Sequence, residues 1–110
     1  MKDTKLGSLE EMILLIVASL FDEAYSIAIV KEYEEQTGNS INISAIHTVL
    51  YRLEDKGLLE SRLGDAVSQR GGKRKRLFRL TPSGKSVLDH QHQLREQIRL
   101  NIPKTAFKWN

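Results

Sequence analysis

The stretch Ser44–Leu59, reading SAIHTVLYRLEDKGLL, decides the fold of this chain. Its apolar residues recur at helical spacing, so they form one buried stripe on an amphipathic helix. Ser44 is a good helix N-cap, and Gly57 follows the last turn, where a left-handed residue ends a helix at low cost. A strand and a strongly basic hairpin follow directly, an order that predicts a helix lying in a groove of DNA with a flanking wing. The stripe consists of Ile46, Val49, Leu50 and Leu53.

Two helices are predicted before this stretch. Helix 1 begins near Ser8 and is apolar on nearly every side. Ser26 is expected to cap helix 2, which runs over about Ile27–Thr37 with Ile27, Val30 and Tyr33 facing the core. The alternation of polar and apolar residues at Ile41–Ile43 predicts a short strand. Helix 2 and the helix in the opening stretch then form a helix-turn-helix.

A strongly basic β-hairpin is predicted next. Its strands, over residues 59–66 and 73–80, join at Gly71-Gly72, where glycine permits the positive φ of a tight turn. Residues 1–60 hold 5 Lys or Arg against 11 Asp or Glu, whereas residues 61–110 hold 12 against 3. The net charge of +3 therefore hides a local basic patch, which indicates an anionic partner. The hairpin carries Arg70, Lys73, Arg74, Lys75, Arg76 and Arg79.

The residues predicted to contact DNA lie in two places. Some lie on the exposed face of the helix in the opening stretch, which is named the recognition helix, and the others lie near the hairpin tip. A major groove admits one helix, and hydroxyl, imidazole and guanidinium groups bond to base edges or phosphates. Densely placed like charges on the hairpin repel each other, and phosphates relieve this repulsion. The structural alternatives are a mixed polar surface helix and a solvated hairpin edge. The predicted DNA-binding residues are Ser44, His47, Thr48, Tyr51, Arg52, Arg70, Lys73, Arg74 and Lys75.

A last helix is predicted from Pro82 to about Asn101. Thr81 is its N-cap, and proline at the first helical position loses no hydrogen bond. After a three-helix core is filled, nothing in the same chain remains to cover the apolar stripe of this helix, and helix 1 has a similar excess. Pairing with a second subunit would cover both. The predicted dimerisation residues are Leu9, Ile13, Leu88, Leu94, Ile98 and Ile102.

These elements predict an α+β fold, mainly α: a winged helix-turn-helix over residues 1–81 and a C-terminal dimerisation helix and tail over residues 82–110, forming one compact unit. No apolar run reaches the roughly 20 residues of a membrane span, and no signal peptide is evident, so a cytoplasmic protein is expected. Zero cysteines exclude disulfides. His90 and His92 are two residues apart, whereas metal ligands on a helix are three or four apart. No metal, cofactor or catalytic set is predicted, which makes an enzyme the weakest alternative.

Three stretches of this chain match the pattern of one known family: Leu6–Leu15 (LGSLEEMILL), Leu50–Leu59 (LYRLEDKGLL) and Gly71–Lys85 (GGKRKRLFRLTPSGK). Through them the chain resembles, along nearly its whole length, the PadR family of bacterial transcriptional regulators, and its short terminal segment resembles the compact subfamily with a single C-terminal helix. The resemblance implies a homodimeric winged-helix repressor whose last helix packs against the partner's first helix. Many members have a tyrosine where this chain has His47. Some relatives bind phenolic or multidrug-like aromatic effectors at the dimer interface, and nothing in this sequence identifies such a ligand.

The dimer symmetry predicts an inverted-repeat operator in double-stranded DNA, with half-sites about one helical turn or a multiple apart. Two other functions stay open. A winged-helix interaction module would place the basic hairpin against an acidic partner protein. An RNA-binding protein usually stacks bases on aromatic side chains, and here only Tyr51 and Phe78 lie near the basic region, with Phe78 expected to be buried.

Overall fold

A computed structural model of the protein describes residues 5–64 and 75–109. Helices dominate, and the two strands form one antiparallel sheet. This is the predicted α+β winged helix-turn-helix, which is confirmed. In chain order the elements are α1 (Ser8–Leu20), a 3-10 turn (Phe21–Glu23), α2 (Ser26–Thr37), α3 (Ile43–Asp55), β1 (Leu59–Leu63), β2 (Arg76–Leu80) and α4 (Pro82–Leu100).

The core lies between α1, α2, α3 and one face of the sheet. The predicted stripe of α3 is confirmed, because each of its four residues is at most 5% exposed. Burying one such side chain contributes about 1.5–3 kcal/mol, so this stripe fixes how α3 sits on the rest of the fold. The opposite face of α3 is consequently left to solvent. The other fully buried large side chains are Ile13, Leu14, Val17, Ile29, Leu58, Leu59 and Phe78.

Two helix starts differ from the prediction. The cap of α3 is Asn42, whose side chain accepts a hydrogen bond from the Ala45 N–H at 2.8 Å, so Ser44 lies inside the first turn and is not the N-cap. The predicted strand at Ile41–Ile43 is wrong, since Ile43 already belongs to α3. Helix α2 includes Ser26 as its first residue instead of using it as a cap.

The predicted inward side of helix α2 is right at Val30 and Tyr33, which pack against the core, and wrong at Ile27. Ile27 is 63% exposed, whereas Ile29 is fully buried. Two predicted features of other helix ends are confirmed, whereas β1 already ends at Leu63 and β2 begins only at Arg76. Gly57 adopts φ +76° after α3, and the Thr81 hydroxyl accepts the Gly84 N–H at 3.0 Å to cap α4.

The hairpin is attached to the helices by backbone hydrogen bonds as well as by packing. Its register runs from Leu59 opposite Leu80 to Leu63 opposite Arg76. The Phe78 N–H donates to the Ala24 carbonyl oxygen at 3.0 Å, and the neighbouring backbone forms a bridge between Tyr25 and Leu77. The connection between α1 and α2 thus behaves as an extra edge beside β2, and the base of the wing is held against the helix-turn-helix.

Helix α4 packs on the core only near its start. Gly84 is buried against the Leu58 carbonyl, and Val87 and Leu88 lie against the core. The rest of α4 extends outward, which gives the molecule its extents of 67 × 35 × 20 Å. An ion pair of 3.2 Å between Arg95 and Glu11 ties the middle of α4 to α1. Within the described ranges, no helix has the length and apolar character needed to cross a membrane.

Candidate nucleic-acid interface

The exposed face of α3 is the face opposite its buried stripe. With 3.6 residues per turn, Ser44, Thr48 and Tyr51 fall in one line along it. Ser44 and Thr48 are exposed, and Tyr51 is 50% exposed. The Thr48 hydroxyl donates to the Ser44 carbonyl at 3.0 Å and keeps its lone pairs free to accept a further bond. These three predicted contact residues are therefore brought together on one accessible surface.

His47 lies at the edge of this face that is nearest α2. Its Nε2 atom is 2.9 Å from the Ser26 hydroxyl, and its ring centroid is 6.2 Å from that of Tyr51. The imidazole is half-buried, so it joins the start of α2 to α3 while one edge stays accessible. Ser26 was not among the predicted contacts. The sequence signal that could have identified Ser26 is its position at the start of the first helix of the helix-turn-helix.

Arg52 occupies the opposite edge of α3, towards α1. It is exposed and adds its charge to the surroundings of Glu10, which pairs with the Lys56 ammonium at 3.0 Å. Burial raises the pKa of Glu10, but hydrogen bonds from the Gly7 N–H and from Lys56, together with these positive charges, outweigh burial and hold that pKa below its ordinary value of 4.5. Arg52 is therefore a predicted contact whose charge also acts on an acidic side chain.

A groove of about 310 Å³ runs beside α3, between the start of α2 and β2. Lys75 and Arg76 form its basic side and are exposed. The Arg76 guanidinium donates to the Ser61 hydroxyl at 3.1 Å, and the Ser61 hydroxyl donates to Glu54 at 2.6 Å. These two hydrogen bonds hold the Arg76 side chain in position. The sequence predicted Lys75 as a contact and placed Arg76 in the basic run without assigning it one.

Aromatic packing joins the groove to the recognition helix. Tyr51 meets Phe78 of β2 edge-on, with ring centroids 6.3 Å apart. Since Phe78 is buried, this contact fixes the distance between α3 and the base of the wing. The predicted tip residues Arg70, Lys73 and Arg74 lie outside the described residues. At the far end of the α3 face, Asp55 is exposed and would repel phosphate, which favours the N-terminal half of α3 as the contact region.

Most of the predicted dimerisation residues are accessible. Leu9 is 37% exposed, Leu94 48%, Ile98 59% and Ile102 52%, while Leu88 is half-buried. Ile13 is fully buried in the core of its own chain, so its inclusion in the dimerisation set was wrong. The helical periodicity identified Ile13 as apolar but did not show which of the two apolar faces of α1 contains it.

Within residues 5–64 and 75–109, no three His, Cys, Asp or Glu side chains come together as a metal site. The chemistry available on the surface is hydrogen bonding and positive charge.

An exposed helix in a helix-turn-helix, braced against a basic antiparallel hairpin, defines the winged-helix class of DNA-binding proteins. Residues 13–90 match the model of the transcriptional regulator PadR-like family. The chain therefore belongs to the PadR-like family, and it is a DNA-binding transcriptional regulator and not an enzyme.

Other proteins are similar to this chain in sequence or in fold. An uncharacterized protein X of Lysinibacillus sphaericus is 36% identical over 84 residues, which cover 74% of this chain and 72% of that protein. A PadR family transcription regulator of Clostridium difficile aligns with a TM-score of 0.69 and 24% identity over 87% of this chain and 95% of that chain. BpsR of Bordetella bronchiseptica, whose DNA binding is regulated by 6-hydroxynicotinic acid, aligns with a TM-score of 0.67 and 22% identity over 100% of this chain and 72% of that chain.

Proposed function

We propose that the protein is a homodimeric, sequence-specific repressor that binds an inverted-repeat operator. The observation that carries this proposal is the exposed line of Ser44, Thr48 and Tyr51 beside the basic groove edge of Lys75 and Arg76. The side chains of α3 supply groups that read base edges, and the basic side chains of β2 supply phosphate contacts. The predicted tip residues Arg70, Lys73 and Arg74 would extend the phosphate contacts along the duplex.

Dimerisation is supported by the apolar surface that one chain leaves uncovered. Leu94 and Ile98 lie on one side of α4, and the exposed Ile102 comes just after the helix ends. Beside Leu94 and Val87, a groove of about 350 Å³ runs along α4. A monomer would expose this side to water, whereas a second copy related by two-fold symmetry would bury it. Two recognition helices would then point the same way and reach successive major grooves of one duplex.

Repression would follow from occupancy of the operator by the dimer. A dimer that covers two half-sites next to a promoter excludes the polymerase without needing an activating surface. An effector would relieve repression if it bound more tightly to an arrangement of the two subunits that does not fit DNA, and only this difference in affinity would shift the balance. The regulation of BpsR by 6-hydroxynicotinic acid makes a small-molecule effector a reasonable part of this proposal.

Selection of bound sequences from random duplex DNA with the purified protein tests the proposal. We expect a palindromic sequence whose halves lie about one helical turn or a multiple apart. Enrichment of a single unrepeated site would contradict the dimeric arrangement. No enrichment, together with capture by an acidic protein, would favour the winged-helix interaction module. In vitro transcription from a promoter that contains the selected site separates repression from activation.

A further inference from the structure

A second groove lies on the side of the wing that faces away from the recognition helix. It encloses about 340 Å³ between the 3-10 turn and the outer face of the sheet, a size within the range of about 300–1,000 Å³ that small-molecule sites occupy. Leu77, 7% exposed, forms its floor and the ring of Phe21 forms one wall. None of the predicted DNA-binding or dimerisation residues lines it.

Four charged side chains surround this apolar floor. The strand register places Glu60 opposite Arg79 and Arg62 opposite Leu77 on the same face, and Asp22 stands on the far side. Within the described part of the chain, neither the two carboxylates nor the two guanidiniums take part in an ion pair of 4 Å or less. The carboxylates would repel an anion and the guanidiniums a cation, so the groove best fits a molecule that carries both charges.

The backbone at Phe21 supplies an independent reason to assign a role to this groove. Phe21 has φ +52° and ψ −108°, near the first central position of a type II′ turn, where glycine is strongly favoured. A bulky residue there is strained, and such strain persists where a side chain serves a function. Internal packing does not account for the phenyl ring, because the residue is 69% exposed. The ring instead offers an uncovered aromatic wall.

We propose that this groove binds a small zwitterion with an aromatic body, of the class of aromatic α-amino acids. The ligand ring would stack on Phe21 and rest on Leu77, which buries apolar area on both sides. Its carboxylate would accept paired hydrogen bonds from Arg62 or Arg79, whose guanidiniums suit a planar carboxylate. Its ammonium group would lie near Asp22 and Glu60.

The site is connected to the DNA-binding surface through β2. Leu77 bridges to Tyr25, while its neighbour Phe78 bonds to Ala24 and packs on Tyr51 of α3. A ligand on the outer face of β2 would therefore bias the position of the wing relative to α3. This regulatory consequence rests on the proposed DNA-binding function, whereas the binding of the ligand does not.

Direct titration of the DNA-free protein tests the site. L-phenylalanine, L-tyrosine and L-tryptophan are each added to the full chain while amide shifts are followed by heteronuclear NMR. We expect saturable shifts at the lining residues with a Kd of about 1 mM or tighter for at least one of them. Phenethylamine and 3-phenylpropanoate, which each lack one charge, should bind at least about tenfold more weakly, a difference of about 1.4 kcal/mol. Absence of saturable shifts at these residues with all three amino acids overturns the proposal.

The variant Phe21→Gly separates the ligand role of the ring from a structural one. Glycine accepts the positive φ, so the thermal midpoint should stay the same or rise, while amino-acid binding should fall at least about tenfold. Ile27→Ala, which removes an apolar side chain of similar exposure outside the groove, should leave binding unchanged. If Phe21→Gly is folded and binds as well as the unaltered chain, the proposed site is wrong.

Regulation is tested separately with the selected operator. If ligand and DNA are coupled, each should change the affinity of the other by the same factor. Binding of the amino acid with no change in DNA affinity would retain the site and reject the regulatory consequence. Failure of DNA binding itself would contradict the proposed function and leave the ligand titration valid.

Discussion

Gly84 holds the start of α4 against the turn that follows α3. A Cβ atom at this position would stand 2.2 Å from the Leu58 carbonyl oxygen and 2.7 Å from a methyl carbon of Leu80. The backbone atom cannot move away without shifting the β1 end of the core. We expect Gly84→Ala to lower the free energy of unfolding by about 3 kcal/mol, the upper range for overpacking, as measured by urea denaturation.

Gly7→Ala is the matched control for this substitution. The nearest atom to a Cβ at Gly7 is 3.7 Å away, and φ there is −71°, so alanine meets no clash. Because Gly7 is the N-cap of α1, where glycine is preferred to alanine, the change should cost about 1 kcal/mol or less. Equal effects of the two substitutions would show that the close packing of α4 on Leu58 is not what stabilises this corner.

The sequence predicted Ser44 as the cap of α3, and this prediction was wrong, because the cap is Asn42. Both side chains can accept a backbone N–H, so residue type alone does not separate them, and the residue at which the helix starts decides which one caps. In the structure only Asn42 caps, through Ala45. Asn42→Ala should therefore cost about 1 kcal/mol of unfolding free energy, and Ser44→Ala should cost much less, as compared by thermal denaturation. The opposite order would return the helix start to Ser44.

Glu10 predicts a pH dependence of stability. Its pKa in the folded protein is lowered from 4.5, because hydrogen bonds from Gly7 and Lys56 favour the carboxylate despite burial. A lowered folded pKa adds stability above the unfolded value, and this stability is lost as the pH falls through the folded value. Glu10→Gln should thus destabilise the protein at neutral pH, and its difference from the unaltered chain should shrink below a pH of about 4.5.

Urea denaturation at a series of pH values measures this difference. Glu35→Gln removes an exposed carboxylate of the same type and serves as the control, with an expected change within about 0.5 kcal/mol. A difference between Glu10→Gln and the unaltered chain that does not change with pH would show that the Glu10 contacts do not stabilise its charged form.

The elements that the sequence predicted best are those whose local signals and packing agree. The buried stripe of α3, the left-handed Gly57 and the Thr81 cap of α4 each combine a strong local preference with burial on the core. The Ile41–Ile43 strand failed because local alternation cannot supply a partner strand. Ile27 was misplaced because the short helix α2 has too few apolar residues to define its buried side unambiguously.

Some features of the candidate site could likewise be predicted from the sequence, and others could not. Periodicity places Ser44, Thr48 and Tyr51 on the face of α3 opposite the core, since that face follows from burial alone. The bond between His47 and Ser26 joins residues 21 positions apart, and the brace of Arg76 by Ser61 joins residues 15 positions apart. Such contacts depend on how the elements pack, so no local pattern reveals them.

The exposed apolar stripe of helix α4 leads to a prediction about the oligomeric state. Leu94 and Ile98 lie on its exposed stripe, and carboxylates there would be buried without partners in a dimer. Leu94→Glu combined with Ile98→Glu should convert the proposed dimer to a folded monomer, as seen by sedimentation velocity, because neither side chain contributes to the chain's own core. The matched control is Leu100→Glu, which changes a 72% exposed residue on the other side of α4.

A control that also dissociates would show that added charge, and not the stripe, disrupts assembly. A double variant that remains dimeric would place the contact surface elsewhere, with the exposed residues of α1 as the next candidates.

The whole molecule separates charge by function. The acidic first half of the sequence folds into most of the helical core, while the basic second half supplies the wing. Basic side chains beside α3 should therefore dominate the attraction to DNA, and basic residues in the C-terminal tail should contribute little. A binding experiment can therefore test where on the molecule the positive charge acts on DNA, and not only how much positive charge the chain carries.

The salt dependence of affinity for the selected operator, followed by fluorescence anisotropy, tests the central claim most directly. For the unaltered protein, log affinity should fall with log salt by about 0.9 for each phosphate that the protein neutralises, and Lys75→Ala with Arg76→Ala should reduce the slope by that amount for each phosphate that the variant no longer binds. Lys104→Ala with Lys108→Ala removes the same charge from the tail and should leave the slope unchanged. A flat salt response, or equal effects of the two double variants, would contradict the assignment of this surface to DNA.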